Sequence, residues 1–309
     1  LDKDGETVTP SHEDYLNRFV RRIKDKRVVR DGDGRPLLDV NPAVVLALQY
    51  LRDNAPTHVL VFAPTRSGKG RGLIIPTLFA WKQSVVVSDQ KEENYKLTAE
   101  MRRRAGQRVG KFAPTSSDGS SWKWNALDEI RKFSPRDVGD AQNICQMIVD
   151  PEAKGMEDHF VSMSWMLLTA LALHHVYAEK DASIPGMAMY LSDPNFETEA
   201  QMWQRMLTAE HDPELKMGWV DTSDRPTKTH PVVASTAKTM LSIPDEERGS
   251  VLTTAKRVLG LWMDPLVAAN TRSSDFLVRD LMTMDQPVSL YYVPVSYTHL
   301  RAHETSLHL

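Results

Sequence analysis

The apolar residues change texture twice along the chain. His58-Val59-Leu60-Val61-Phe62 is an unbroken apolar run of strand length. Such a run suits a central strand covered on both faces. Ser84-Val85-Val86-Val87-Ser88 is a second strand, rich in β-branched residues, and Gln107 to Phe112 reads as a third. Between the first two, Leu73, Ile74, Ile75, Leu78 and Phe79 predict a helix whose first part Pro76 kinks or ends. Val44 to Asp53 reads as a short amphipathic helix and Asn94 to Arg104 as an exposed, charged one. This alternation of strand and helix predicts a parallel sheet with right-handed crossovers.

From about Phe133 the period becomes helical. Ile144, Met147 and Ile148, then Phe160, Met163, Leu167 and Leu171, then Met202 and Met206, and finally Val251, Val258 and Leu261 fall at helix spacing. The methionines concentrated here read as core filling. Near Asp275 the texture reverts, and Pro287 to Pro294 reads as a returning strand. The expected fold class is therefore α/β, with an all-α domain inserted into the sheet domain. The expected boundaries are a charged segment at 1–35, a sheet domain from 36–132 and 271–295, and the all-α domain at 133–270. Residues 296–309 differ from everything before them. They resemble translated adapter sequence and are expected to be foreign to the natural protein. His299 and His303 within them have a spacing that suits one helical face, but no metal-ligating set is assigned.

Composition narrows this picture only a little. The 309 residues are 41% hydrophobic and 26% charged, ordinary for a soluble globular protein. A net charge of −3 gives no global electrostatic case for nucleic acid, so any such contact must be local. The basic run Arg21 to Arg27 reads as a solvated segment or as a contact to phosphates. Arg102, Arg103 and Arg104 read as a solvated helix face, and Trp122 and Trp124 as core rather than as base-stacking platforms. One cysteine, Cys145, excludes an internal disulfide and is expected to be buried and idle. The apolar stretch Phe160 to Leu173 is expected to be a buried helix, short of the ~20 residues that span a bilayer.

Ala63-Pro64-Thr65-Arg66-Ser67-Gly68-Lys69-Gly70 carries the candidate chemistry. It follows a strand and precedes a helix, the setting of a phosphate loop. Gly68 permits a tight turn that exposes backbone N–H groups. The helix beginning near Lys69 points its positive end at the same anion. The Lys69 ammonium neutralises the outer phosphates. The pattern departs from G-x-x-x-x-G-K-[ST] at Ala63 and at Gly70, where the Mg²⁺-binding hydroxyl usually stands. Thr65, Ser67 or water are the candidate replacements. Thr65, Arg66, Ser67, Gly68, Lys69, Gly70 and Arg71 are the expected nucleotide-binding residues. Asp89 ends the second strand and has two readings, a metal-binding acid beside the nucleotide or a cap of the next helix. Gln90 follows it, so no general base is evident and the catalytic residues are unassigned.

These motifs together resemble the TraG-type type IV coupling proteins. Phe62 to Thr77 resembles the phosphate-loop segment of that family, in which glycine commonly follows the lysine. Ser84 to Thr98 is similar to the block S-V-V-V-x-D-P-K-G-E-x-x-x-x-T, with Gln90 and Glu92 where proline and glycine are usual. Trp124 to Ile130 resembles W-N-P-L-x-x-I, and Gly249 to Ala255 resembles G-S-V-L-S-T-A. Ser274-Asp275-Phe276, Asp280-Leu281 and Pro287 to Tyr291 match later blocks. The resemblance implies a RecA-like P-loop domain with a mostly parallel sheet, interrupted by an all-α domain. It implies ATP with Mg²⁺ as cofactors and a homo-hexameric ring in the full-length protein. It implies anchoring in the bacterial inner membrane through an N-terminal region, with the soluble part on the cytoplasmic face. It also implies a motor that passes relaxase-bound single-stranded DNA to the type IV secretion channel proteins. By the same resemblance the Walker B pair would lie beyond Pro287 to Val293, so Asp89 is not that residue. The fragment is then expected to hold ATP weakly and not to hydrolyse it. Two other readings compete: an adaptor module that recruits relaxase or effector proteins with nucleotide as a structural ligand, and a small-molecule P-loop kinase.

Overall fold

The structure, a computed structural model, describes residues 61–62 and 68–294. The predicted helix at 44–53, residues 58–60, residues 63–67 and the tail from 296 lie outside the described residues. The chain divides after Lys82 into two compact units, Leu1–Lys82 and Gln83–Leu309.

In the first unit a helical segment starts directly after Gly68. A π-helical turn, Gly70–Ile74, leads into helix α1, Ile75–Ala80. Pro76 accounts for the change of winding. It has no N–H to donate, and its ring crowds the carbonyl one turn back, so the preceding turn opens. The Ile75 N–H accordingly reaches the Gly70 carbonyl, one residue farther than in an α-helix. The predicted kink is thus a widened turn. Val61 and Phe62, the end of the first predicted strand, lie in no strand, and Phe62 is 88% exposed.

The second unit contains a sheet of β1 (Val85–Ser88), β2 (Arg108–Phe112) and β3 (Val288–Tyr292). The order is β1-β3-β2 and both pairings are parallel. The returning strand is therefore the central one of the three, which explains the burial of Val288 through Tyr291 on both faces. Helix α2, Glu93–Arg104, crosses from β1 to β2.

The two faces of β3 are covered differently. Thr98 of α2 shares a hydrogen bond with the Tyr291 hydroxyl, and Arg102 Nε donates to Ser289 Oγ at 2.8 Å. Arg102 is 2% exposed. The expectation of a solvated arginine face is corrected here: Arg102 lies one turn beyond Thr98 and so faces the sheet. Arg103 and Arg104 stay on the outer surface, each paired with Glu100. On the opposite face Leu290 and Phe112 pack with Phe276, and Trp122 and Trp124 pack against that cluster. Both tryptophans are core, as expected.

Between β2 and β3 every described element is helical. A 3-10 turn at Ala126–Glu129 is followed by α3 (Asp137–Val149), α4 (His159–Ala178) and α5 (Ile184–Tyr190). Then come α6 (Glu199–Thr208), α7 (Pro231–Ser242), α8 (Asp245–Leu259), α9 (Pro265–Thr271) and α10 (Asp280–Thr283). One apolar core runs from the 3-10 turn through α8, with Leu167, Leu168, Leu171, Trp203, Met206 and Val251 fully buried. Helix α4 is long and apolar enough to cross a membrane, yet most of it is enclosed by the other helices. Its apolar surface is the centre of the core. Cys145 is buried there too, and burial pushes its thiol up to about 12, which leaves it inert as a nucleophile.

Candidate nucleotide-binding site

Gly68 has a φ of +87°, a conformation that side-chain-bearing residues rarely adopt. Lys69 follows at φ −47° and ψ −46°, already helical. The Gly72 N–H closes back onto the Gly68 carbonyl at 2.8 Å. Gly70 stands inside the helical turn, with open space where a Cβ would be. The chain thus passes from a left-handed glycine directly into a helical turn that starts at Lys69. Arg71 lies on the same turn. Thr65, Arg66 and Ser67 lie outside the described residues.

Asp89 lies at the carboxyl end of β1, in the second unit. Its backbone N–H donates to the Tyr292 carbonyl at 2.8 Å, extending the ladder with β3. Its carboxylate accepts from the Tyr95 backbone N–H at 2.8 Å and from Asn94 Nδ2 at 3.3 Å. Those groups belong to the first turn of α2, whose N–H groups have no partners within the helix. Asp89 is 3% exposed, and its carboxylate braces the first turn of that helix, whose first flanking residue is Glu92. Asp89→Ala is expected to cost about 1 kcal/mol and Asp89→Asn much less, because the amide oxygen still accepts. Urea unfolding of both variants checks this. Equal losses in the two would refute that bracing role.

The loop behind Asp89 contains a charge pair that sequence reading did not pick out. Glu92 adopts φ +56°, at the position where the resembling block has glycine. Its carboxylate accepts from Lys111 Nζ at 3.0 Å, and Asp118 lies 3.6 Å from the same ammonium. The Lys111 side chain is 5% exposed. Burial alone would lower its pKa, but the hydrogen bond and charge of Glu92, with those of Asp118, more than reverse that and hold the ammonium above its ordinary value. The available signal was a non-glycine residue in a glycine position.

The remaining motif blocks bond to one another or pack into the helical core. Asn125 Oδ1 accepts from the Leu127 N–H, and Asn125 Nδ2 donates to the Ala182 carbonyl at 2.7 Å. Ser274 Oγ receives the Asn125 N–H at 2.9 Å and donates to Asp128 at 2.7 Å. Asp275 receives the Lys123 N–H and returns its own N–H to the Lys123 carbonyl. The two blocks, Trp124 to Ile130 and Ser274 to Phe276, therefore clasp each other where the chain leaves the sheet and where it comes back. Gly249 to Ala255 lies on α8 and supplies Val251, Leu252 and Ala255 to the helical core. Among the described residues no cluster of three His, Cys, Asp or Glu side chains could hold a metal ion.

The family described as type IV secretory system conjugative DNA transfer matches residues 16–309. A conjugal transfer protein TraG of Escherichia coli is 45% identical over 249 residues, which is 79% of this chain and 37% of that protein. A second TraG of Escherichia coli is 43% identical over the same shares. Protein VirD4 of Rhizobium radiobacter is 30% identical over 246 residues, 75% of this chain and 31% of VirD4. The chain thus spans about a third of the length of these relatives. The family match runs through both the Gly68 turn and the clasped blocks around the helices, so the chain belongs to the type IV secretory system conjugative DNA transfer family, as a coupling protein of the TraG type.

Proposed function

We propose that the chain is the nucleotide-binding part of a coupling ATPase that drives DNA toward a type IV secretion channel. The observation that carries this is the turn at Gly68: a left-handed glycine, then Lys69 at the first position of a helix. Backbone N–H groups at such a helix start have no partners within the helix, and a lysine beside them supplies the charge that a triphosphate needs. The donor set fits the anionic half of Mg·ATP. Gly68, Lys69, Gly70 and Arg71 would hold the phosphates, with Thr65, Arg66 and Ser67 completing the loop. The metal half is less well provided for, because Gly70 has no hydroxyl. When bound, Mg²⁺ would neutralise charge on the β- and γ-phosphates. The family membership supports single-stranded DNA with its relaxase and the secretion channel as partners, and a membrane-anchored homo-hexamer as the working assembly.

The test is equilibrium titration of the 309-residue chain with a fluorescent ATP analogue. Lys69→Ala is expected to weaken binding at least about tenfold, ~1.4 kcal/mol. Identical binding by parent and variant would overturn the reading. An adaptor function is the second reading. It is favoured by an apolar cleft of about 320 Å³ on the helical part, lined by Pro185, Met189, Trp262, Met263 and Pro265. Transfer assays separate the two: a motor loses DNA transfer on Lys69→Ala while partner capture survives, whereas an adaptor keeps both.

A further inference from the structure

The end of α4 carries a buried hydrogen-bond chain whose direction can be worked out. The His230 backbone N–H, which can only donate, points at His211 Nδ1 at 3.1 Å. That nitrogen is therefore unprotonated, and the proton of the neutral ring sits on Nε2. His211 Nε2 lies 3.0 Å from His174 Nδ1, so His211 donates and His174 accepts. The proton of His174 is then on its own Nε2, 3.1 Å from Glu179 Oε1. Arg205 Nη2 holds the same oxygen at 2.8 Å. His174 and His211 are 0% and 1% exposed.

No vacant lone pair remains on either ring. A second proton on His211 must go to Nδ1 and face the His230 N–H. A second proton on His174 must go to Nδ1 and face the His211 N–H. Either addition sets two donors against each other in a dry site, where an unmade hydrogen bond carries its full desolvation cost. The chain also closes a loop. The His211 and Asp212 N–H groups both donate to the Lys228 carbonyl at 2.9 Å, so residues 211–228 form a surface loop with a narrow neck. Leu215 and Val220 are exposed on it.

We propose that the His174–His211 pair is a proton-operated latch on the loop 211–228, closed while both rings are neutral and opened when either takes a second proton. The charged and titratable groups around it are Glu179, Arg205 of α6, Tyr190 of α5, His175 and Tyr177 of α4, Asp212 of the loop, His230 at the start of α7 and Asp137 of α3. Asp137 receives the Tyr177 hydroxyl at 2.6 Å and lies 3.5 Å from His230 Nε2. Arg205 and the neighbouring rings oppose an added proton on His174, the adjacent Glu179 carboxylate favours one, and Asp137 acts on His230. Burial dominates, pushing His211 down to about 4 and, with His175, His211 and Arg205 adding to it, His174 down to about 3. Both lie below the ordinary histidine value, so an open loop binds more protons than a closed one. The latch holds fully above about pH 6.5 and weakens as pH falls toward 4.

Amide hydrogen exchange across pH on the 309-residue chain tests this. The amides of His211, Asp212 and His230 are expected to lose protection below about pH 6.5, about tenfold per pH unit for each ring that takes a proton, while the β2 amides keep theirs. His211→Gln, whose amide offers a donor and an acceptor without titrating, is expected to move the loss to lower pH. Loss in step with β2, or a His211→Gln profile identical to the parent, would sink the proposal. Should that variant not fold, the imidazole nitrogen spectrum of the parent at neutral pH decides. Both rings must be Nε2–H tautomers, and an Nδ1–H or charged ring at either position overturns the latch.

Discussion

Alanine at position 110 is expected to destabilise the chain by about 3 kcal/mol or more, a large effect for a single methyl group. Gly110 is the middle residue of β2, and the indole of Trp122 lies directly on it. A Cβ built there would stand 2.0 Å from the Trp122 ring, far inside van der Waals contact. The ring has nowhere else to go without loss. It packs against Phe276 with centroids 5.7 Å apart, and the Arg108 guanidinium sits over it at 4.9 Å. Its backbone N–H also donates to the Lys111 carbonyl at 2.7 Å, so the main chain cannot simply retreat. Alanine therefore expels the indole and opens the face of the sheet that Phe112, Leu290 and Phe276 share. Urea unfolding of Gly110→Ala, alone and in a Trp122→Ala background, measures this. With the indole already gone the methyl group has room, and its cost should fall below about 1 kcal/mol. Equal costs in both backgrounds would show that Trp122 is not what confines position 110.

That contact shows where the sequence was legible and where it was not. The strands at 85–88 and 288–292 were evident as short runs rich in β-branched or aromatic residues, and 108–112 was placed by the strand–helix alternation around it. The helical insertion was evident because its apolar residues repeat at helix spacing over many turns. Such patterns are local, and burial on one or both faces writes them directly. The meeting of Gly110 with Trp122 is not local, and nothing near Gly110 announces that an indole will cover it. Arg102 was misread for a related reason. Three adjacent arginines suggest a solvated face, but a helix distributes consecutive residues around its axis and one of the three had to point inward. Ser289 and the Gln83 carbonyl receive that guanidinium, and both are distant in sequence or on another element. Of the candidate site, the Gly68 turn and the helix at Lys69 follow from backbone preference and were legible. For Asp89 two readings stayed open, since the choice depends on where the Tyr95 N–H points. The histidine chain left no trace in the sequence reading, because His174, His211 and His230 are spread over 57 residues and meet only in the folded helical core.

The pair of Glu92 and Lys111 yields the second large effect, and it is one of sign. A residue other than glycine at φ +56° costs on the order of 1 kcal/mol. By itself that strain predicts that Glu92→Gly stabilises the chain. The opposite is expected. Glu92 is the nearer partner of an ammonium that is 5% exposed, and its own side chain is only 27% exposed. Removing it leaves Lys111 with Asp118 alone, at 3.6 Å and 59% exposed. Leaving a buried charge so poorly compensated costs about 3 kcal/mol, which outweighs the relief of strain and leaves Glu92→Gly about 2 kcal/mol less stable than the parent. In a Lys111→Met background the ammonium is absent and only the strain remains, so the same Glu92→Gly change should now stabilise by about 1 kcal/mol. Lys111→Met alone should cost less than Glu92→Ala, because the carboxylate left behind can turn toward water and the ammonium cannot. A double-mutant cycle in urea measures all of these. If Glu92→Gly has the same sign with and without Lys111, then the loop keeps its left-handed turn for a reason other than this ion pair.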